Sequence, residues 1–342
     1  MKQKETIILG IETSCDDTSA AICKNDTILS NVISNQEVHN QYGGVVPELA
    51  SRAHQQNIIP VVDKAIKDAG ISVNNINAVA FTGGPGLIGA LLVGSSFAKG
   101  FSLAKNIPLI EVDHLQAHVL AHFIKETSEW HKSPLFPFLC LLVSGGNSQI
   151  IIVEDYFNMK VIGQTIDDAA GEAYDKCAKI MGLPYPGGPV IDKFSIYGSP
   201  NAFKFSKPKV DNLNFSFSGL KTAFLYTVRD KIKEDAQFIK NNLFDLCSSI
   251  QFTINDILIE KLVIAAKSTN INRLAISGGV SANSALRSQL TEKANKLGYE
   301  LFFTKPKFST DNAAMVAIAG YFKYRKKKFA EQNCTPYARN II

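Results

Sequence analysis

Short apolar runs alternate with amphipathic stretches along the whole chain, and their order predicts a succession of strands and helices. The run Ile7-Ile8-Leu9-Gly10-Ile11 predicts a buried strand that ends in the small polar turn Glu12-Thr13-Ser14. Residues 18–23 and 28–34 predict two more strands, joined by Lys24-Asn25-Asp26 into a β-meander. Pro47 suits the first turn of a helix that should reach Ala69, with a break expected near Pro60. Residues 76–82 predict a buried strand running into Gly83-Gly84-Pro85-Gly86, followed by a helix to Lys105 and a strand over 109–112.

The second half repeats this plan. Residues 138–143 predict a strand ending at Ser144-Gly145-Gly146-Asn147, with further strands over 149–153 and 159–165. Helical segments follow, broken by a loop over 183–189, and the Lys-, Asn- and Pro-rich stretch 197–214 is expected to be an exposed insertion. Ile271-Asn272-Arg273-Leu274-Ala275-Ile276-Ser277-Gly278-Gly279 then mirrors Ile76-Asn77-Ala78-Val79-Ala80-Phe81-Thr82-Gly83-Gly84 position for position. Two such units predict an α/β protein with a duplicated actin/Hsp70/sugar-kinase-like fold, two RNase H-like domains around a cleft that binds nucleotide phosphates. The expected domains are 1–132 and 133–342, the latter with an insertion around 195–215 and a last helix packing back on the first domain.

Candidate chemistry gathers at the strand ends. After the strand over 109–112 comes Asp113-His114-Leu115-Gln116-Ala117-His118, in helical register. His114 and His118 then stand one turn apart on one face, roughly 6 Å along the axis, within reach of one metal ion. His122 is roughly 12 Å from His114 along the same axis and is read as structural. Asp311 follows its own strand much as His114 does, and a pseudo-twofold relation between the halves would bring it to face the histidines. The simpler reading of Asp311 is a cap for the helix opening at Asn312-Ala313-Ala314-Met315. Two histidines and a carboxylate with open positions suit Fe(II), with Zn(II) as the alternative.

The three Gly-rich turns, at 83–86, 144–146 and 277–279, each offer backbone N–H groups to an anion. Thr165-Ile166-Asp167-Asp168 has the form of a capping box. It would open a helix with Asp168, Glu172 and Asp175 on one face. The helix dipole accounts for the first acids but not for Asp175, which is read as a partner for ribose hydroxyls. Pro186-Gly187-Gly188-Pro189, with Asp192 beyond it, would approach the same sugar.

Composition narrows the function by exclusion. No G-x-x-x-x-G-K-[ST] is present, so the chain is not a P-loop protein, and Leu115 beside His114 excludes the H-E-x-x-H metalloprotease pattern. Six cysteines without C-x-x-C spacing suggest reduced thiols, and the absence of a leader or a bilayer-length apolar run suggests a cytoplasmic protein without a membrane partner. A net charge of +5 is too modest to make nucleic acid the obvious partner. Residues 321–328 mix aromatics with cations that could touch tRNA phosphates, though cations closing a helix C-terminus are the preferred reading.

Taken in order, these motifs resemble one family, the bacterial TsaD tRNA threonylcarbamoyladenosine transferases. The match runs through Gly10-Ile11-Glu12-Thr13-Ser14-Cys15-Asp16, residues 42–48, Gly84-Pro85-Gly86-Leu87, residues 114–118, 142–146, 167–175 and 185–189, Phe215-Ser216-Phe217-Ser218-Gly219-Leu220-Lys221-Thr222, residues 277–283 and Thr310-Asp311-Asn312. It departs at Asn147, where the family usually has His, and at Asp17, where it usually has Glu. The resemblance implies metal ligands at His114, His118 and Asp311, and substrate binding by Leu142, Val143, Ser144, Gly145, Gly146, Asp175, Gly188, Asp192 and Asn283. It implies transfer of threonylcarbamoyl from threonylcarbamoyl-AMP to the exocyclic amine of the tRNA adenosine 3′ of the anticodon, with the protein partners TsaB and TsaE. Glu12 is a candidate proton acceptor, and Lys204, Lys207 and Lys209 are this chain's candidate contribution to the tRNA surface. The alternatives are a kinase or ATPase of the same fold, which has no use for the histidine pair, or a nucleotide-binding subunit without catalysis.

Overall fold

A computed structural model describes residues 5–126 and 132–339, so residues 1–4, on which part of the leader expectation rests, lie outside it. The described chain forms two compact units, Met1–Ser133 with Thr310–Ile342, and Pro134–Ser309.

In the first unit the meander is β1 (Ile7–Glu12), β2 (Thr18–Lys24) and β3 (Thr27–Ser34), followed by helix α1 (Pro47–Asp68). Then come β4 (Ala78–Gly84), α2 (Ile88–Lys105), β5 (Leu109–Asp113) and the short helix α3 (His114–Leu120). The sheet order is β3-β2-β1-β4-β5, with antiparallel pairing in the meander and parallel pairing of β1 with β4 and β4 with β5. Helix α1 does not break at Pro60. The proline lies on the exposed face, where water can take the carbonyl that lacks its usual donor. The apolar faces of β1, β2 and β4 bury Leu9, Ile11, Ile22 and Phe81 against Ile58, Val62 and Ala98 of the two helices.

The second unit repeats the arrangement. Its strands are β6 (Phe138–Val143), β7 (Ser148–Val153) and β8 (Met159–Gln164), and its helices α4 (Ala170–Ile180), α5 (Gly187–Ser195), α6 (Ser218–Glu234) and α7 (Phe238–Thr269) follow. Helix α7 bends at Asn242, whose backbone leaves helical angles. Strand β9 (Arg273–Ser277), helix α8 (Ser284–Leu297) and strand β10 (Glu300–Phe303) close the unit. The order β10-β9-β6-β7-β8, read backwards, is that of the first sheet, and the mirrored apolar runs are β4 and β9. The stretch after α5 is only partly exposed, a correction to the expected insertion. Phe203, Phe205 and Leu213 pack on the core, because aromatic residues carry burial that the surrounding Lys, Asn and Pro conceal from a compositional reading.

Helix α9 (Ala313–Arg325) returns to the first unit and lies directly on β1. Two glycines make that approach possible. A Cβ on Gly10 would stand 2.5 Å from the Ala313 carbonyl oxygen, and one on Gly320 would stand 2.5 Å from Ala80 Cβ. The first N–H groups of α9 are satisfied by β2 and β3, Ala313 donating to Ser19 Oγ at 2.9 Å and Ala314 to Asn31 Oδ1 at 3.2 Å. Asn312 caps the helix by accepting from Met315 N at 3.2 Å.

Candidate metal and nucleotide sites

The metal candidates converge within the first unit. Asp113 ends β5 and caps α3, its Oδ1 accepting from Gln116 N at 2.8 Å, so the next residue, His114, opens the helix. His118 follows one turn later, and the two rings meet edge to face with centroids 4.7 Å apart. Because Asn312 takes the cap of α9, Asp311 keeps its carboxylate for other partners. Its Oδ1 lies 3.0 Å from His118 Nε2 and 3.5 Å from His114 Nε2. One ligand atom from each of the three residues lies within 4.8 Å of the others, a cluster able to hold a metal ion. The carboxylate comes from the segment seated on β1 and β2, within the unit of the histidines, and not from a facing half as a pseudo-twofold reading would have it. His122 is buried on the turn beyond α3 and is not in the cluster.

Glu12 was visible in the sequence, but its partners were not. It is fully buried at the end of β1, where Oε1 accepts from Ser14 N at 2.5 Å and Oε2 from Thr82 Oγ1 at 2.6 Å. The same Oε2 lies 3.2 Å from His114 Nδ1, which leaves Nε2 of that ring toward Asp311. Burial alone would lower the pKa of His114, but the charges of Glu12 and Asp311 outweigh it and raise it to about 9. Burial conversely raises Asp311, yet the two histidines bring it down to about 2. His118 Nδ1 is buried without a hydrogen-bond partner among the described residues. Two imidazole nitrogens and a carboxylate oxygen, one imidazole oriented by a second carboxylate, fit a single divalent ion. The thiols do not compete for that role, since burial pushes those of Cys15, Cys23, Cys140, Cys177 and Cys247 upward and keeps them protonated.

The nucleotide candidates sit at loops and helix starts of the second unit. Leu142 and Val143 are buried at the end of β6, and Ser144, Gly145 and Gly146 form the turn after it. Ser144 N donates to Asn147 O at 2.8 Å, closing the turn. The carbonyls of Ser144 and Gly145 accept from Gly171 N and Glu172 N, which ties the turn to the start of α4. A Cβ on Gly171 would stand 2.6 Å from the Ser144 oxygen, so this seating needs glycine.

Asp175 reaches the start of α5, where its Oδ1 accepts from Gly187 N at 2.7 Å and Gly188 N at 3.3 Å. Burial raises its pKa, opposed by those two N–H groups. Asp192 accepts from Ser284 N and Ser284 Oγ, both at 2.9 Å, at the start of α8. Asn283 caps α8, its Oδ1 accepting from Leu286 N at 2.8 Å.

Two expectations fail here. Thr165 to Asp168 does not cap α4, whose cap is Ala169 with no side-chain bond. Asp167 crosses to the start of α6 instead, accepting from Phe217 N at 2.8 Å and Ser216 Oγ at 2.5 Å. Asp168 precedes α4 rather than sharing an acidic face of it with Glu172 and Asp175, and it pairs with Lys176 at 2.9 Å and Lys221 at 3.2 Å. Lys204, Lys207 and Lys209 are all exposed, and Lys207 is paired with Asp256 at 2.6 Å and Glu260 at 2.7 Å. The cations around 321–328 divide in the same way, Lys323 donating to the Glu111 carbonyl at 2.7 Å while the residues from Arg325 to Lys328 are exposed. Among the described residues no helix is long and apolar enough to cross a membrane.

Over residues 27–318 the sequence matches the family described as TsaD, tRNA N6-adenosine threonylcarbamoyltransferase. It is 62% identical over 338 residues to the tRNA N6-adenosine threonylcarbamoyltransferase of Phocaeicola vulgatus, covering 99% of this chain and 100% of that one. It is 60% identical over 340 residues to the protein of the same name from Porphyromonas gingivalis, with 99% and 100% coverage. Among solved structures it is similar to full-length HypF in its phosphate- and nucleotide-bound form. The TM-score there is 0.58 at 14% identity, over 95% of this chain and 47% of that one, a likeness of fold alone.

Proposed function

The chain belongs to the TsaD family of tRNA N6-adenosine threonylcarbamoyltransferases, and on that premise we propose how its two units share the reaction. The activity is transfer of threonylcarbamoyl to the N6 amine of a tRNA adenosine, and full-length identity to relatives of that name is the observation that carries it. The donor is threonylcarbamoyl-AMP and the acceptor the adenosine 3′ of the anticodon. A bond forms between N6 and the carbamoyl carbon, the bond from that carbon to the AMP oxygen breaks, and N6 gives up a proton. The amine is a weak nucleophile, since its lone pair is delocalised into the purine, so rate depends on positioning and on stabilising the oxyanion.

In the second unit, the turn Ser144-Gly145-Gly146 after Leu142 and Val143 offers the Gly145 and Gly146 N–H groups to phosphate or carbamoyl oxygens, while Ser144 N closes the turn on Asn147 O. Asp175, Gly188, Asp192 and Asn283 hold the adenosine, with Asp175 Oδ2 toward the ribose while Oδ1 stays on the start of α5. In the first unit, His114, His118 and Asp311 hold one divalent ion, Fe(II) in preference to Zn(II), which supplies Lewis acidity and a template when bound. Glu12, which accepts from Ser14 N and Thr82 Oγ1, orients the His114 ring through Nδ1. The protein acts in the cytoplasm; it works with TsaB and TsaE, because a net charge of +5 is too little to hold tRNA tightly alone.

The test is reconstitution with TsaB, TsaE, threonylcarbamoyl-AMP and tRNA, scored as threonylcarbamoyladenosine in digested tRNA by mass spectrometry. Product should form with the partners and be scant without them. No product, together with phosphorylation of a small substrate from ATP by the chain alone, would replace this reading with a kinase.

A further inference from the structure

The second unit contains a chain of buried polar side chains that neither its packing nor the roles above explain. The Tyr174 hydroxyl donates to Asn255 Oδ1 at 2.9 Å, and Asn255 Nδ2 donates to Asn283 Oδ1 at 3.4 Å. Asn283 Nδ2 donates to Gln251 Oε1 at 2.7 Å, and Gln251 Nε2 to Ser195 Oγ at 2.6 Å. Ser195 Oγ donates in turn to the Asp192 carbonyl at 2.8 Å. Asn255 is wholly buried, with Gln251 2% and Tyr174 1% exposed. Burying two amides in a helix core is costly unless every group is satisfied, so a chain of this kind fixes geometry more than it adds stability.

Both ends of the chain dictate its direction. The Leu286 N–H on Asn283 can only donate, which identifies that oxygen as Oδ1. The Asp192 carbonyl can only accept, so Ser195 must donate to it and Gln251 must present its N–H to Ser195. Asn283 is therefore held in one orientation. Its oxygen takes two donors, Leu286 N and Asn255 Nδ2, while its NH2 gives one hydrogen to Gln251 and, among the described residues, retains one.

We propose that Asn255 and Gln251 are positioning residues that lock the Asn283 amide so that its remaining N–H meets an acceptor atom of the bound adenylate. This rests on the reading of Asn283 and Asp175 as nucleotide contacts. The same chain ends beside the other contacts, since Tyr174 precedes Asp175 on α4 and Ser195 lies one turn beyond Asp192 on α5.

The experiment measures AMP affinity of the full chain by calorimetry, with metal content and circular dichroism as controls for the fold. Asn255→Leu should raise Kd about tenfold with metal content unchanged, but by less than about twofold when added to Asn283→Ala, because it acts through that amide. Asn283→Asp caps a helix as well as Asn, yet it replaces the donor with an acceptor. It should therefore lose at least as much affinity as Asn283→Ala. If Asn255→Leu unfolds the protein, Tyr174→Phe removes only one hydroxyl and should still raise Kd about threefold. Wild-type affinity in Asn283→Asp overturns the proposal, as does an unchanged Kd in Asn255→Leu or Tyr174→Phe where Asp175→Ala weakens binding. An unchanged Kd in Asp175→Ala as well overturns the nucleotide reading itself.

Discussion

The two sheets share an order and a register, yet their strand ends carry different kinds of chemistry. Ile11 pairs with Phe81 in the first sheet as Leu141 pairs with Ile276 in the second, so Glu12 occupies the position of Leu142 and Thr82 that of Ser277. In the first unit this position holds a buried carboxylate, bonded by Thr82 and turned toward His114. In the second an apolar side chain stands there, and Ser277 has no carboxylate to bond. The chemistry next to it comes instead from the backbone turn at Ser144 and from the starts of α5 and α8. The same scaffold position therefore carries a buried carboxylate in the first unit and an apolar side chain in the second, where Asp175 and Asp192 instead engage the starts of α5 and α8.

That contrast is most sharply broken at the ligands. Replacing Asp311 or His118 with Ala should remove the metal and lower threonylcarbamoyl transfer by about 10²–10³-fold while AMP binding survives, checked by elemental analysis and calorimetry. Loss of AMP affinity to the same degree would mean that the two sites are not chemically separate. Glu12→Gln keeps the shape but removes the charge, and it should weaken metal binding about 10–100-fold.

The pH dependence sharpens the same point. A proton on His114, with its pKa raised to about 9, stabilises the metal-free fold below the ordinary histidine pKa, and this contribution is lost as pH rises through about 9. Metal must displace that proton, so affinity should fall by up to about tenfold for each pH unit below 9 and level off above it. In Glu12→Gln the sloping region should shift to lower pH.

On the other side of the comparison, Asp175→Ala should weaken AMP binding by about 1.5–3 kcal/mol with metal retained, measured by calorimetry. The smallest effect is expected at the exposed cations. Lys204→Ala with Lys209→Ala should reduce the salt slope of tRNA binding by at most about two, and Lys207→Ala should add little because its charge is already matched by Asp256 and Glu260.

Much of this was legible in the sequence because strand ends and i, i+4 spacing are local properties. The mirrored runs at β4 and β9, the histidine pair on α3 and the turn after β6 all come from neighbouring residues. What the sequence concealed depends on long-range partners. Whether Asp311 or Asn312 caps α9 turns on a single residue of register, and the arrival of Asp311 beside His118 depends on Gly10 and Gly320 letting a helix rest on a strand. Thr165 looked like the cap of α4 with Asp168 closing the box, but Thr165 Oγ1 donates to the Asp168 carbonyl, α4 opens later at Ala170, and Asp167 between them is taken by the start of α6, some fifty residues on. Asp175 stood out in the sequence as an acid that the helix dipole does not explain, and its protein partners at Gly187 and Gly188 have no local signature.

The return of α9 to the first unit also bears on how the protein is made. The sheet of Ile7–Glu12 and Ala78–Gly84 leaves the ribosome early, but the helix that covers it, and the carboxylate that completes the metal cluster, come after all of Pro134–Ser309. At about 5–20 residues per second this interval lasts on the order of ten seconds or more, during which an apolar sheet face stays uncovered. The cluster of His114, His118 and Asp311 is consequently complete only after residue 311 has been made, and a premature stop before Thr310 would remove both its carboxylate and the helix that covers β1.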